Sequence, residues 1–205
     1  MPVTINGNGS ITGLSAGGLP AGSVTDATIA GMAASKLSGA LPAISGASLT
    51  NISAGVTHAQ MWRRGSFSGA MSPVTGYSKY TSTNNASVGA DMTESSGIFT
   101  FPTTGIYMVT STLAARTDGG YANYAGMRQY YSGNSGGSYN VVASGYDSGD
   151  RDTAHYVSNQ TVLYDITNAS TARIKFDVEN SHSIKVFGNS VNRNTGVTFI
   201  RLGDT

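Results

Sequence analysis

The stretch GIFTFPTTGIYMV, Gly97–Val109, decides the fold class of this chain. Its first half, Ile98–Phe101, consists of β-branched and aromatic residues, which favour an extended strand. Pro102 lacks a backbone donor and suits a turn, and Gly105 can adopt the positive φ that a chain reversal requires. A second apolar run begins at once with Ile106. The stretch therefore predicts a strand, a tight corner and a second strand.

Composition argues against several classes of protein. The 205 residues contain no cysteine, so we expect neither disulfides nor a thiolate metal site. The net charge of +1 gives no reason to expect nucleic acid as a partner. No apolar run approaches the roughly 18 residues of a membrane-spanning helix, and the N-terminus MPVTINGNGS lacks a secretory-signal pattern, so we expect no membrane insertion. A chain with only 11% charged residues and 27 glycines is typical of extracellular β-structures and viral fibres.

The aromatic residues divide the chain into two regions. Every Trp, Tyr and Phe follows His58, whereas residues 1–57 contain none and carry only two charges, on Asp26 and Lys36. A segment of small residues cannot bury enough apolar area to fold alone. We therefore place a boundary between residues 1–57 and 58–205. The N-terminal segment is predicted to be a docking or stalk segment, with a flexible leader as the alternative.

Two similar motifs occur in the N-terminal segment. Gly17–Thr25 and Ser38–Thr50 each contain Leu-Pro-Ala followed by a Gly- and Ser-rich turn. Between them, Thr25-Asp26 can cap a short helix over Ala27–Leu37. The candidate docking residues are the two Leu-Pro pairs, Leu19, Pro20, Leu41 and Pro42.

Residues 58–205 predict an all-β domain. Apolar and polar residues alternate over Arg173–Val178, so one face of that strand is buried and the other is wet. About ten short strands without a long helix indicate a sandwich or a barrel. The predicted strands are Met61–Phe67, Val74–Tyr80, Ile98–Phe101, Ile106–Leu113, Tyr124–Tyr131, Tyr139–Ala143, Ala154–Ile166, Ala172–Val178, Ser183–Phe187 and Gly196–Leu202.

The C-terminal region resembles a known family. The motif G-x-F-x-x-P-x-x-G-x-Y at Gly97–Tyr107 resembles the core of the globular head of complement subcomponent q, which shares its jelly roll with tumour necrosis factor. The segments Thr161–Ile166, Ala172–Val178 and Thr195–Leu202 are similar to that family's later strands. The resemblance covers residues 58–205 and implies a ten-stranded jelly-roll sandwich. It also implies a homotrimer, because three copies pack around a threefold axis in that family.

The N-terminal region resembles a different group of proteins. Its Gly-Leu-Pro-Ala-Gly-Ser and Leu-Pro-Ala-Ile-Ser-Gly-Ala-Ser segments look like leaders of bacteriophage tail-fibre and virion-appendage proteins, often from phages of cyanobacteria. This resemblance implies a structural virion protein on the tail or head, a short fibre or spike. Residues 1–57 would dock on other virion proteins and the jelly roll would contact the host surface. The alternative is a capsid or neck decoration of the same fold that binds no receptor.

A dense group of tyrosines is the strongest sign of a binding surface. Tyrosine offers flat contact area at low entropy cost, and the surrounding Gly, Ser and Asn residues offer adaptable hydrogen bonds. We expect Tyr121 and Tyr146, in loops, to be receptor contacts, with a host-surface glycan or protein as the ligand. Alternate tyrosines within Tyr124–Tyr131 are expected to line the trimer core. Trp62 is predicted to anchor the first strand, with contact to a neighbouring virion protein as the alternative.

The sequence offers little support for an enzyme. Gly-x-Ser-x-Gly occurs at Gly13–Gly17 and Gly133–Gly137, but a serine nucleophile of that type needs a following helix, and none is predicted. The carboxylates of Asp91 and Glu94 are a second candidate pair, of the type that hydrolyses glycosides. A depolymerase is therefore the third hypothesis, and we expect no enzymatic activity and no cofactor.

A metal site is also a minor alternative. The three histidines, His58, His155 and His182, lack the spacing of metal ligands. The predicted turn Ser144–Asp152 contains three aspartates that are weak candidates for a hard cation. These are Asp147, Asp150 and Asp152. No glutamate closes this loop, so we expect a solvated turn and no metal.

Overall fold

A computed structural model describes residues 4–5, 11–12, 56–81, 87–188 and 194–205. The chain divides into two compact units, Met1–Thr50 and Asn51–Thr205. In the first unit, β1 (Thr4–Ile5) pairs antiparallel with β2 (Ile11–Thr12). The predicted helix over Ala27–Leu37 and the candidate docking residues Leu19, Pro20, Leu41 and Pro42 lie outside the described residues. In the described ranges, no helix has the length and apolar character needed to cross a membrane.

Twelve strands are described in the second unit, and they form two antiparallel sheets. The strands are β3 (His58–Arg64), β4 (Phe67–Ser68), β5 (Tyr77–Lys79), β6 (Thr93–Ser95), β7 (Ile98–Thr100), β8 (Gly105–Thr117), β9 (Ala122–Ser132), β10 (Asn140–Gly149), β11 (His155–Ile166), β12 (Arg173–Asn180), β13 (Ile184–Val186) and β14 (Thr195–Gly203).

The long strand β8 organises the seven-stranded sheet. One edge of β8 pairs with β11, and the other pairs with β14 and, further along, with β13. The remaining neighbours are β3 and β5 beyond β14, and β4 beyond β13. The five-stranded sheet has the order β10-β9-β12-β7-β6. This sandwich confirms the predicted all-β jelly roll.

Two details differ from the sequence prediction. The short strands β4 and β6 were not expected, because their few residues carry too little pattern. The predicted turn over Ser144–Asp152 is wrong for Ser144–Gly149, because β10 continues through Gly149, and the chain turns only after it. Backbone pairing with β9, including Tyr146 opposite Gly126, imposes the extended form on residues with weak β propensity.

The corner at Pro102 forms as predicted, since β7 ends before it and β8 begins at Gly105. Gly105 has φ +138°, and a Cβ there would lie 2.5 Å from the carbonyl oxygen of Gly203. Only glycine combines this φ with so close a backbone approach. The hydroxyl of Tyr107 donates to the carbonyl oxygen of Thr103 at 3.1 Å and fixes the turn.

Aromatic rings fill the core next to this corner. Phe99 is fully buried and makes tilted or edge-on contacts with rings from both sheets, at centroid distances of 5.1–5.9 Å. Its partners are Trp62, Tyr77, Phe176 and Phe199. Trp62 therefore anchors the first strand of the domain, as the sequence predicted.

A network of polar side chains also lies inside the sandwich, between the two sheets. The Gln129 side chain donates to the Ser111 hydroxyl at 3.0 Å and accepts from the Tyr164 hydroxyl at 3.0 Å. Ser111 donates to Gln160, whose amide donates to Ser158 at 2.7 Å. The network joins β9 to β8 and β11, and a satisfied buried network of this kind favours one pairing of the sheets over others.

Candidate functional site

The outer face of the seven-stranded sheet is aliphatic and only partly covered. Side chains alternate along β8 and β11, so one set enters the core and the other points away from it. We call the second set the aliphatic face, and it is centred on Ile106, Met108, Val157, Leu163 and Ile200. Leu163 is 62% exposed and Val157 is 53% exposed. Large apolar side chains at such exposure, gathered on one face, are typical of an interaction surface.

Strand pairing extends this face into rows. Leu163, Met108 and Ile200 lie side by side on β11, β8 and β14. The next row contains Thr161 and Thr110, whose hydroxyls are 2.9 Å apart. Together the rows form a continuous surface of methyl and hydroxyl groups.

Charged side chains lie only at the two ends of the β8–β11 pair. Asp165 is paired with Ile106 at one end, and Arg116 is paired with His155 and with Lys185 at the other. Between these ends, the outward residues of both strands are uncharged. Little desolvation cost therefore opposes burial of this part of the face.

The outer face of the five-stranded sheet carries a small pocket of about 330 Å³. Its lining residues are Tyr124 and Arg128 on β9, Tyr146 on β10 and Glu179 on β12. The two tyrosine rings are nearly perpendicular, at 86°, with centroids 5.6 Å apart. We call this group the tyrosine pocket.

Hydrogen bonds and an ion pair hold the tyrosine pocket together. Arg128 pairs with Glu179 at 2.8 Å, and its Nε donates to the Tyr146 hydroxyl. The same hydroxyl donates to the second oxygen of Glu179 at 3.1 Å. Arg128 donates hydrogen bonds to the hydroxyls of Tyr130 and Tyr146, which raise the pKa of Arg128, so the guanidinium stays charged. The positive and negative charges of the pocket balance each other.

Gly126 allows Tyr146 to lie flat against the sheet. A Cβ at Gly126 would be 2.0 Å from the carbonyl oxygen of Gly145 and 2.6 Å from the Tyr146 ring. Any side chain at this position would displace the ring. The glycine thus sets the position of one pocket wall.

A second charged group lies further along the same sheet. Lys175 pairs with Asp177 at 3.0 Å and stands over the ring of Tyr130 at 4.4 Å. Tyr139 lies on another side of the lysine at 5.4 Å. This arrangement also balances its charges, so the face as a whole combines aromatic rings with paired ions.

A second pocket, of about 260 Å³, lies beside the Pro102 corner. Arg201 lines it and donates to the carbonyl oxygen of Thr104 at 2.8 Å. His58 also lines it and is buried, and its ring is held beside the backbone of Ala90. Burial lowers the pKa of His58, so the ring is neutral in the folded protein at neutral pH.

The two tyrosines predicted to contact a receptor, Tyr146 and Tyr121, lie in different surroundings. Tyr146 lies within strand β10, not in a loop, and forms part of the tyrosine pocket. Tyr121 is 62% exposed at the start of β9, and it does not line this pocket. Their role as receptor contacts stays a prediction. Tyr131 faces the sandwich core, whereas Tyr124 and Tyr130 lie on the outer face.

Sequence reasoning missed three of the four pocket residues as ligand contacts. Tyr124, Arg128 and Tyr130 are separated by even numbers of positions on β9, so their common face could be read from the alternation. Glu179 could not be assigned in this way, because only the pairing of β12 with β9 brings it beside Gly126.

The aspartate candidates do not form one cluster. Asp147 lies in β10, while the Asp152 carboxylate accepts from the backbone of Gly119 and Thr153 at 2.8 and 2.9 Å. These backbone bonds lower the pKa of Asp152. Within the described ranges, no three His, Asp or Glu side chains are grouped to hold a metal ion.

The catalytic candidates are also separated by their contacts. Asp91 binds Lys79 and Gln60, whereas Glu94 accepts from the backbone of Gly97 at 2.7 Å. Ser135 lies at the centre of the Gly133–Gly137 motif, which is followed by strand β10 and not by the helix that a serine elbow requires. The motif at Gly13–Gly17 lies outside the described residues.

The fold is similar to solved structures of the tumour necrosis factor type. Murine APRIL, solved at pH 5.0, has a TM-score of 0.53 at 12% identity, covering 72% of this chain and 99% of that one. Eiger TNF from S. frugiperda has a TM-score of 0.55 at 9% identity, covering 72% and 94%. No family model and no curated protein matches the sequence. At these identities the likeness establishes the tumour necrosis factor-like jelly roll.

Proposed function

We propose that this chain is a homotrimeric, non-enzymatic virion protein, a short bacteriophage fibre or spike whose jelly roll contacts the host surface. The observation that carries the proposal is the aliphatic face. Its exposed Leu163 and Val157 and the uncharged rows beside them suit burial against two further copies of the chain. The resemblance of the C-terminal region to complement subcomponent q supports three copies around one axis.

The virion role has separate support from the N-terminal segment. Residues 1–57 contain no aromatic residue and only two charges, a composition that suits docking on a partner. Their resemblance to phage appendage leaders suggests other virion proteins as that partner. The low overall charge of 11% is consistent with tight symmetric packing of small polar residues.

Trimer formation would allow the protein to bind the host surface at several sites at once. Three equal sites on one trimer, and several trimers on one particle, raise avidity far above the affinity of a single site. Because the aliphatic face and the tyrosine pocket belong to different sheets, association would leave the pocket exposed. Contact with the host surface would then be weak at each site and strong for the particle.

Two measurements test the proposed function. Immunogold labelling of intact particles with antibodies to residues 58–205 is expected to place label on the tail or its tip. Labelled full-length protein is expected to bind susceptible cells and to compete with infection. Label over the head or neck, together with no cell binding, would support the decoration protein instead. Release of reducing sugar from host envelope material would support an enzyme.

A further inference from the structure

We propose that the tyrosine pocket binds a neutral saccharide, one pyranose unit of a surface glycan. The inference deepens the proposed function, on which it rests for the host setting of the glycan. The site itself is carried by Tyr124, Arg128, Tyr146 and Glu179 and by their geometry. Its volume of about 330 Å³ suits a single small ring system better than a folded partner surface.

The aromatic walls suit the apolar faces of a sugar ring. A pyranose presents C–H bonds on its faces and hydroxyl groups at its rim. The face of a tyrosine ring carries negative partial charge and attracts such C–H groups. Tyr124 and Tyr146 meet at 86° and so offer a wall and a floor to one ligand.

The polar groups of the pocket suit the hydroxyl groups of the rim. Glu179 has two acceptor oxygens, and Arg128 keeps donors beyond those that bind Glu179, Tyr146 and Tyr130. Adjacent sugar hydroxyls can donate to the carboxylate and accept from the guanidinium at the same time. Both side chains are one-third exposed, so a ligand can reach them.

Charge balance favours a neutral ligand over an anionic one. Arg128 is paired with Glu179, and the next cation on this face, Lys175, is paired with Asp177. A phosphate or a sialic acid would have to displace one of these carboxylates to gain a cation. It would also meet the negative faces of the tyrosine rings. Because the cations are already paired and the ring faces are negative, neutral hexoses and N-acetylhexosamines are the favoured ligands.

The pocket is organised before any ligand arrives. Gly126 lets Tyr146 lie against the strand, and two hydrogen bonds hold its hydroxyl between Arg128 and Glu179. A wall that is already fixed loses little conformational entropy on binding. Weak but selective recognition of a single sugar unit follows from this arrangement, and three copies of the site would add avidity.

The test uses the full chain and defined sugars. Methyl glycosides of glucose, galactose and mannose, and N-acetylglucosamine, are titrated in saturation-transfer NMR, with N-acetylneuraminic acid and methyl phosphate as anionic probes. At least one neutral sugar is expected to bind, and both anions are expected to give no signal. Failure of every neutral sugar, or stronger binding of an anion, would overturn the inference.

Matched variants assign the binding to the pocket. Tyr146→Ala and Tyr124→Ala are each expected to weaken binding about tenfold, because each removes an aromatic wall. Tyr146→Phe keeps the wall and is expected to retain most of the affinity. Tyr80→Ala removes a tyrosine that follows strand β5, outside the pocket, and is the control, expected to bind as the wild type does. Equal binding by all four folded variants would contradict the site.

The same variants separate this inference from the proposed function. If the wild-type protein binds sugar and Tyr146→Ala protein does not, but the wild-type protein does not bind cells, the sugar site is supported and the attachment role is contradicted. If Tyr146→Ala and Tyr124→Ala proteins still bind cells while no sugar binds the wild type, the pocket assignment fails. Cell binding would then depend on another surface, such as one that recognises a host protein.

Discussion

The outer faces of the two sheets follow the same strand alternation but differ in chemistry. On the seven-stranded sheet, the outward residues of β8 and β11 between the strand ends are uncharged, and most of them are aliphatic or hydroxylated. On the five-stranded sheet, tyrosines alternate with the ion pairs Arg128–Glu179 and Lys175–Asp177. Leu163 and Val157 on the first face, and Tyr124 and Tyr146 on the second, are exposed in the single chain.

The difference suggests a division of labour within one small domain. An uncharged aliphatic surface gains most from complete removal of water, which a symmetric partner can provide. Aromatic rings beside paired ions gain more from a ligand with both an apolar face and polar groups. Four predictions test this comparison, from the largest expected effect to the smallest.

Placing a charge on the aliphatic face is expected to have the largest effect. Leu163→Glu would bury one unpaired carboxylate per copy in the proposed interface, at a cost of about 3–5 kcal/mol each. The expected result is a monomer in light scattering coupled to gel filtration. Val142→Glu, an exposed valine changed on β10, is the control and should leave the association state unchanged. An equal loss of association in both variants would remove the distinction between the faces.

The second prediction concerns the polar network that joins the two sheets behind these faces. Gln129→Leu would leave the Tyr164 hydroxyl without its buried acceptor and the Ser111 hydroxyl with Gln160 as its remaining partner in the network. Unfolding in urea should show a loss of up to about 3 kcal/mol. Ser144→Ala, at an exposed position on β10, should change stability by less than about 0.5 kcal/mol. Unchanged stability of Gln129→Leu would mean that the network does not fix the sheet pairing.

The third prediction is confined to the tyrosine face. Gly126→Ala would press a methyl group against the carbonyl of Gly145 and the ring of Tyr146, at a stability cost of about 1–2 kcal/mol. Sugar binding, measured by the same NMR titration, should weaken while the association state stays the same. Gly133→Ala is the matched control, because its nearest neighbour is 3.7 Å away. Intact sugar binding in Gly126→Ala would mean that the ring does not need this glycine.

The fourth prediction is that acidification changes the stability of the domain, with the smallest effect of the four. It acts through His58, which is buried inside the sandwich. Burial lowers the pKa of His58 from its ordinary value of 6.5, so the unfolded chain binds this proton more readily than the folded one. Stability should therefore fall as the pH drops through about 6.5, until the folded ring itself becomes protonated. The hydrogen bond from Lys79 lowers the pKa of Asp91 from 3.8, so its contribution is lost only in stronger acid.

Urea unfolding at pH 7.5 and 5.5 measures the histidine contribution. The midpoint should be lower at pH 5.5, and His58→Gln should reduce the difference between the two values. Arg201 and Lys79 near the ring also disfavour its protonation, whereas Asp91 favours it. A wild-type midpoint that rises at pH 5.5 would contradict the assignment of a neutral buried ring.

The sequence predicts the fold better than it predicts the surfaces. The corner at Gly97–Val109 is readable because proline, glycine and β-branched residues each have strong local preferences. The first part of β10 was predicted as a strand, but the sequence predicts a turn for Ser144–Gly149, because the Gly, Ser and Asp residues there have weak β propensity and the pairing with β9 is non-local. Local propensity thus fails where a neighbouring strand supplies the order.

The surfaces depend on pairing between distant segments. The run Ile106-Tyr107-Met108-Val109 is apolar on both faces, so the sequence does not reveal which face enters the sandwich core and which stays exposed. The exposed tyrosine Tyr146 was identified, but Glu179 lies 33 positions away and joins it only through the order β10-β9-β12. A local pattern therefore cannot assemble the pocket.

The most direct test of the central claim is the mass of the wild-type chain in solution. Sedimentation equilibrium at several protein concentrations measures it without reference to any ligand or host. The proposed burial of the aliphatic face predicts three times 21.1 kDa, constant down to micromolar protein. A mass of 21.1 kDa at all concentrations would contradict association through this face.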